Sequence, residues 1–259
     1  MSAQSVGAGL QFLTPDWAAP RSVRAAFTLR RGGVSAPPFD SLNVAAHVGD
    51  DSQAVAENRR RLRDGLRLPQ EPAWMEQVHR TEVLDLDLSD LAARAASSSV
   101  AADAALTRRA GRVCVVQVAD CLPVLFAARD GSAVAAAHAG WRGLAAGVLE
   151  ATVKSLAVDP GGLLAWIGPG IGPAHFEVGD EVRGAFLAHD NAAAAAFSIN
   201  TRGRWQCDLP LLARARLAAL GIAAVTGGTW CTYADASRFF SFRRDGRCGR
   251  MAAVIWLAE

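Results

Sequence analysis

Lysine is almost absent from this 259-residue chain: Lys154 is the only one, and arginine supplies the rest of the 27 basic residues. Twenty-five acidic residues oppose them, and the resulting charge of +2 gives no general field to draw in a nucleic-acid backbone. Cysteine is scarce. The five, at positions 114, 121, 207, 231 and 248, are odd in number and form no Cys-x-x-Cys pair, which suits a reducing compartment better than a disulfide framework. No basic segment followed by a continuous apolar one precedes Trp17, and no apolar run reaches the roughly 18 residues of a membrane span. These absences predict a cytoplasmic protein without a membrane or nucleic-acid partner. Histidine is also sparse, at 47, 79, 138, 175 and 189 with no His-x-His pair. Several coppers need many paired imidazoles, so multicopper phenol oxidation is disfavoured.

What is present is enough apolar side chain, 51% of residues, to bury a large core. No fixed-period repeat, charged tail or linker divides the chain, and the only low-complexity patch is the alanine run at 192–196, so one domain over 1–259 is expected. Ser22–Leu29 reads as an opening strand, and a helix begins near Asp51 or Ser52, with its arginine run at 59–63 on a solvated face. Strand pieces follow over 74–86, 113–118, 122–127 and 133–137, the last two joined by an Asp130-Gly131 hairpin turn. A helical stripe runs from Leu144 to Leu156, a short buried strand over 163–167, and a helix over 209–220 capped by Asp208 and Gly221. The chain is expected to close on a hairpin pairing Phe239–Arg243 with Met251–Trp256. Strands in the majority, several joined by hairpins, argue for a mixed sheet with helices outside, an α+β architecture.

Three polar residues interrupt otherwise apolar segments at strand ends or turns: His79, Cys121 and His138. The hairpin brings Cys121 and His138 within bonding reach, and His79 is expected from a neighbouring strand. One thiolate and two imidazoles suit zinc with an open fourth position, where a water's pKa falls toward about 7. The same residues also suit a cysteine nucleophile with His138 as its base, and the sequence leaves both readings open. A lone buried His or Cys is usually an ordinary core residue, but three together point to a site. Gly140-Trp141-Arg142-Gly143 leads into a helix and is either an anion cradle or a tight turn. Gly168–Pro173 matches no nucleotide fingerprint and reads as a rigid turn.

Arg30–Ser35, Ser41–Asn43, His47–Asp50, Gln77–His79, Ala119–Pro123, His138–Gly143, Ile167–Pro169, Cys231–Tyr233 and Phe239–Arg244 occur in an order that resembles the bacterial laccase-domain family, also called the YfiH or polyphenol oxidase family. The resemblance implies two stacked mixed β-sheets flanked by helical layers, a four-layer α-β-β-α arrangement. It also implies a zinc site, rather than a copper one, at His79, Cys121 and His138, the same residues carrying catalysis. Members act on purine nucleosides and phosphate: they phosphorolyse adenosine, inosine, guanosine and methylthioadenosine, and deaminate adenosine. Asn43, Arg59 and Arg243 fall in motifs that the resemblance links to phosphate or ribose. Arg80 stands where the pattern has glycine and Cys248 where it has threonine. The competing reading is a metal-free cysteine hydrolase or amidase acting on a peptidoglycan precursor.

Overall fold

The computed structural model describes residues 4–6, 9–88 and 100–259, so the domain expected over 1–259 includes stretches outside them. In chain order the strands are β1 (Gln4–Val6), β2 (Leu10–Leu13), β3 (Val23–Thr28), β4 (Met75–Glu76), β5 (Val83–Asp85), β6 (Val100–Ala101), β7 (Ala104–Thr107) and β8 (Val113–Val118). They continue with β9 (Leu122–Ala128), β10 (Val134–Ala139), β11 (Leu163–Ile167), β12 (Glu177–Val178), β13 (Phe197–Ile199), β14 (Trp205–Cys207), β15 (Ala224–Gly227) and β16 (Met251–Leu257). The helices are α1 (Ser52–Leu66), α2 (Trp141–Ala146), α3 (Val148–Leu156), α4 (Asp180–Leu187), α5 (Leu209–Ala219) and α6 (Phe242–Asp245).

Two large sheets carry the molecule. One runs β1-β2-β3-β16-β8 and is antiparallel at every described pairing; the other runs β15-β11-β9-β10-β7-β5 and is mixed, with β11–β15 and β5–β7 parallel. Every residue of β8, β9, β10, β11 and β16 is buried. Strands covered on both faces read as continuous apolar runs, which is how these appear in the sequence. Phe27, Val116 and Ala253 of the first sheet meet Leu125, Val134 and Trp166 of the second in a shared core. On the far face of the first sheet Leu62 of α1 packs with Ala26, Val115 and Val254. On the far face of the second, Val153, Phe186 and Leu212 of α3, α4 and α5 cluster with Val124, Phe126 and Ala165.

Local signals explain most boundaries. Asp51 caps α1 by accepting from the Gln53 amide, and Asp208 caps α5 by accepting from the Leu211 amide. The stripe from Leu144 to Leu156 is interrupted at Gly147, whose φ of 101° only glycine adopts without strain, so it divides into α2 and α3. Arg60 and Arg61 of α1 pair with Glu57 and Asp64 at i,i+3 and i,i+4 spacing, consistent with a solvated face, whereas Arg59 of the same run turns inward over the Trp74 ring.

The expected C-terminal hairpin does not form. β16 is paired on one edge with β3 and on the other with β8, so it has no edge left for residues 239–243. Phe239 and Phe240 instead enter the core between the sheets, and 242–245 becomes α6, capped by the Ser241 hydroxyl.

Phe27 joins the two sheets: it is fully buried, with edge-on contacts to Trp166 at 6.4 Å and Phe239 at 6.1 Å between ring centroids. Phe27→Ala is expected to cost about 3–5 kcal/mol in urea unfolding monitored by tryptophan fluorescence, because the cavity opens between two sheets that cannot both collapse.

Candidate metal centre

The β9–β10 hairpin pairs His138 with Pro123 and Ala139 with Leu122, placing Cys121 just beyond the end of β9, opposite Gly140. That approach depends on Gly140 lacking a side chain, since a Cβ there would lie 2.8 Å from Cys121 Sγ and 3.1 Å from His79 Cδ2. His79 arrives from the loop between β4 and β5, not from a strand, and has φ of 60°. The ligand atoms of His79, Cys121 and His138 lie within 4.8 Å of one another, with Cys121 Sγ 3.9 Å from His79 Nε2.

A residue the sequence reading passed over organises this arrangement. Asp103, between β6 and β7, is fully buried, and its carboxylate accepts from His138 Nδ1 at 2.8 Å. It also accepts from the backbone amides of Val78 (3.2 Å), His79 (2.9 Å) and Arg80 (2.7 Å). Holding the proton of His138 on Nδ1 leaves Nε2 free for a metal, and the same carboxylate pins the left-handed loop that presents His79. Gln77 supports the loop from the other side by donating to the Gln117 carbonyl and accepting from its amide. The signal for Asp103 was in the sequence: a single carboxylate inside the apolar stretch Val100–Leu106.

Asp120 does for Cys121 what Asp103 does for the histidines. It has φ of 97°, an unusual conformation for a non-glycine residue, and accepts from Thr232 Oγ1 at 2.6 Å and the Arg243 amide at 2.7 Å. Its carbonyl accepts from Ile171, so the Gly168–Pro173 turn packs directly on the cysteine turn.

Burial alone would raise the Cys121 thiol, but the imidazoles of His138 and His79 overcome it and draw it down to about 6. Burial would lower His138, yet the facing thiolate and the Asp103 carboxylate lift it to about 9. For Asp103 too, burial opposes ionisation and is outweighed by the hydrogen bonds from His138 and the Arg80 amide, which hold it below the usual carboxylate range. In the metal-free protein this is a thiolate–imidazolium pair held by a carboxylate. The residues also fit zinc. Zinc bonds of about 2.3 Å to sulfur and 2.1 Å to nitrogen separate two tetrahedral ligand atoms by about 3.6 Å, close to the 3.9 Å between Cys121 and His79.

The three residues linked to phosphate or ribose sit differently. Asn43 is fully buried; its amide donates to Ala45 and Asp50 and accepts from Ala45 and Arg250. Arg59 lies 4.0 Å over the Trp74 ring, donates to the Val44 carbonyl, and is drawn down to about 10 by burial. It belongs to the neighbourhood of His47, whose imidazole is lowered by burial, Arg250, Arg59 and His79, with Glu76 opposing. Arg243 stands beside the cysteine turn, its guanidinium donating to the Glu177 carbonyl and lying 5.2 Å from the Phe176 ring centroid. Of the two departures from the family pattern, Arg80 lends its amide to Asp103, and Cys248 is buried with its carbonyl accepting from Arg250.

Comparison with known proteins covers nearly the whole chain. Residues 24–258 match a family described as multi-copper polyphenol oxidoreductase laccase. The chain is 53% identical over 249 residues to a protein of Pseudomonas aeruginosa named purine nucleoside phosphorylase, spanning 96% of this chain and 99% of that one. It is 51% identical over 247 residues to purine nucleoside phosphorylase YfiH of Escherichia coli, spanning 95% and 99%. Among solved structures, a Neisseria meningitidis protein superposes with a TM-score of 0.89 at 45% identity, covering 96% of this chain and 99% of that one. YlmD of Geobacillus stearothermophilus superposes with 0.88 at 32% identity, covering 99% of both.

Two outcomes follow from the geometry. In metal-free protein the 240-nm thiolate absorbance of Cys121 is expected to appear as pH rises through about 6, not near the ordinary thiol value of about 8.5, and to shift back upward in His138→Ala. Asp103→Asn is expected to weaken zinc binding about 10- to 100-fold by chelator competition, since the His138 tautomer and the His79 loop lose their common acceptor.

Proposed function

The chain belongs to the family described as multi-copper polyphenol oxidoreductase laccase, and from that premise we propose that it is a zinc-dependent purine nucleoside phosphorylase. The observation that carries the reading is the His79–Cys121–His138 set under Asp103, in a chain matched almost end to end by relatives bearing that name. The substrates are adenosine, inosine, guanosine and methylthioadenosine with phosphate, and adenosine is also deaminated. Copper oxidation of phenols fits poorly. One thiolate and two imidazoles form the metal-binding cluster found among the described residues, and a multicopper centre needs several imidazole-rich sites.

In phosphorolysis a phosphate oxygen bonds to C1′ as the C–N bond to the purine breaks, and the base leaves with a proton. The work of the protein is to hold the phosphate and stabilise the charge that develops on the sugar and the base. In this reading Arg243 would hold the phosphate, supported by the anchoring of its backbone amide on Asp120 next to Cys121, and Arg59, in the neighbourhood of His47, would be the second arginine. Asn43 positions rather than contacts: by holding the Arg250 amide and Asp50 it sets the loop near His47. Zinc, when bound by His79, Cys121 and His138, would supply positive charge that lowers the pKa of water and polarises oxygen, the chemistry needed when the oxygen of a water replaces the C6 amino group and ammonia leaves. Asp103 keeps Nε2 of His138 directed at that ion, and Gly140 keeps the approach open.

A second reading has its own observation. Cys121, His138 and Asp103 form the nucleophile, base and orienting carboxylate of a cysteine hydrolase, with the thiol already drawn down to about 6. A metal-held thiolate is a poor free nucleophile, so zinc occupancy separates an amidase acting on a peptidoglycan precursor from the nucleoside enzyme.

Zinc-loaded protein incubated with adenosine is expected to yield adenine and ribose 1-phosphate only when phosphate is present, and inosine without it. Cys121→Ala is expected to lose at least about 100-fold of both activities, and Arg243→Ala to raise the KM for phosphate more than it lowers kcat. No nucleoside turnover with zinc bound would reject the proposal, and turnover of an amide by zinc-free protein would establish the second reading.

A further inference from the structure

A second cysteine–histidine pair lies outside the metal centre. Cys231 Sγ is 3.5 Å from His175 Nδ1, and the Gly172 amide donates to the same sulfur at 3.2 Å. The His175 ring stacks on Tyr233 with centroids 4.5 Å apart and planes 20° apart, and its backbone amide donates to the Gly172 carbonyl. The ring is therefore held facing the sulfur. Cys231 and His175 are both half-buried, and Cys231 lines a cavity of about 380 Å³ with Gly172, Pro173, Arg214 and Trp230.

The other thiols differ in kind. Cys114, Cys207 and Cys248 are buried, and burial raises all three. Cys121 belongs to the metal centre. Only Cys231 combines an accessible sulfur, an N–H donor to stabilise a thiolate and an imidazole outside the metal cluster. A thiolate so supported attacks small electrophiles. The lack of a side chain at Gly172 lets its amide come close to the sulfur, since a Cβ there would lie 3.3 Å from Cys231 Sγ.

We propose that Cys231, with His175 as its proton acceptor and donor, is a peroxide-reactive thiol, a modification site separate from the metal centre. The Cys231 thiol passes its proton to His175 Nδ1, and the thiolate attacks one oxygen of the peroxide. An S–O bond forms as the O–O bond breaks, so sulfur is oxidised to the sulfenic acid and the peroxide is reduced. The departing hydroxide takes the proton from His175 and leaves as water, or as an alcohol from an alkyl hydroperoxide. Thr232, the next residue, holds Asp120 in the turn before Cys121, so the modified sulfur lies one residue from a tether of the metal centre.

The test treats full-length, zinc-loaded protein with hydrogen peroxide in the presence of dimedone and maps the adducts by peptide mass spectrometry. Cys231 is expected to be labelled at least about tenfold faster than Cys207 or Cys248 in the same sample, with zinc content unchanged. His175→Phe, which preserves the stack on Tyr233 and removes the nitrogen, is expected to slow labelling at least about fivefold. Equal labelling of Cys231 and the buried cysteines in wild-type protein would overturn the proposal without reference to any variant. So would an unchanged rate in a folded His175→Phe protein.

Discussion

A single buried carboxylate holds the centre of this protein together. From between β6 and β7, Asp103 receives one imidazole N–H and three consecutive backbone amides of the loop between β4 and β5, which satisfies those donors in the interior. A buried charge is tolerable only when it is paired and hydrogen-bonded, and here the requirement and the function coincide. The charge that must be compensated recruits His138 from one strand and the His79 loop from elsewhere in the chain, and in doing so aims both imidazoles at the same point.

Cys121 is brought to that point by a different device. The hairpin register sets its height, the left-handed turn at Asp120 sets its direction, and Gly140 leaves it room. The turn is held from the C-terminal part of the chain, by the Thr232 hydroxyl and the Arg243 amide. Motifs more than a hundred residues apart are thus one structure. The sheets that carry them share a close-packed core through Phe27 and Trp166.

How much of this could be read from the sequence depended on the range of the contacts. Cys121 and His138 were legible as a pair because an Asp-Gly turn makes their contact local. His79 is legible as a residue type but not as a conformation: its neighbours suggest a strand end or a turn supplied by an adjacent strand, and the left-handed loop follows only from the amides gathered by Asp103. Asp103 leaves a trace in the sequence as a lone carboxylate in the apolar stretch 100–106, but its role does not, since what gives it that role is burial against the His79 loop, and burial is a property of the assembled sheets. The C-terminal segment was misread for the same reason. Phe239–Arg243 and Met251–Trp256 have the composition of a hairpin, but β16 finds better partners on both edges in β3 and β8, which are far away in sequence.

The account rests on a metal ion held by His79, Cys121 and His138. The most direct measurement is anomalous diffraction at the zinc absorption edge from crystals grown with zinc. The account predicts a single strong peak bonded to Cys121 Sγ and to Nε2 of both histidines, with His138 Nδ1 still on Asp103. A peak elsewhere, several peaks of comparable height, or none at this cluster would contradict it.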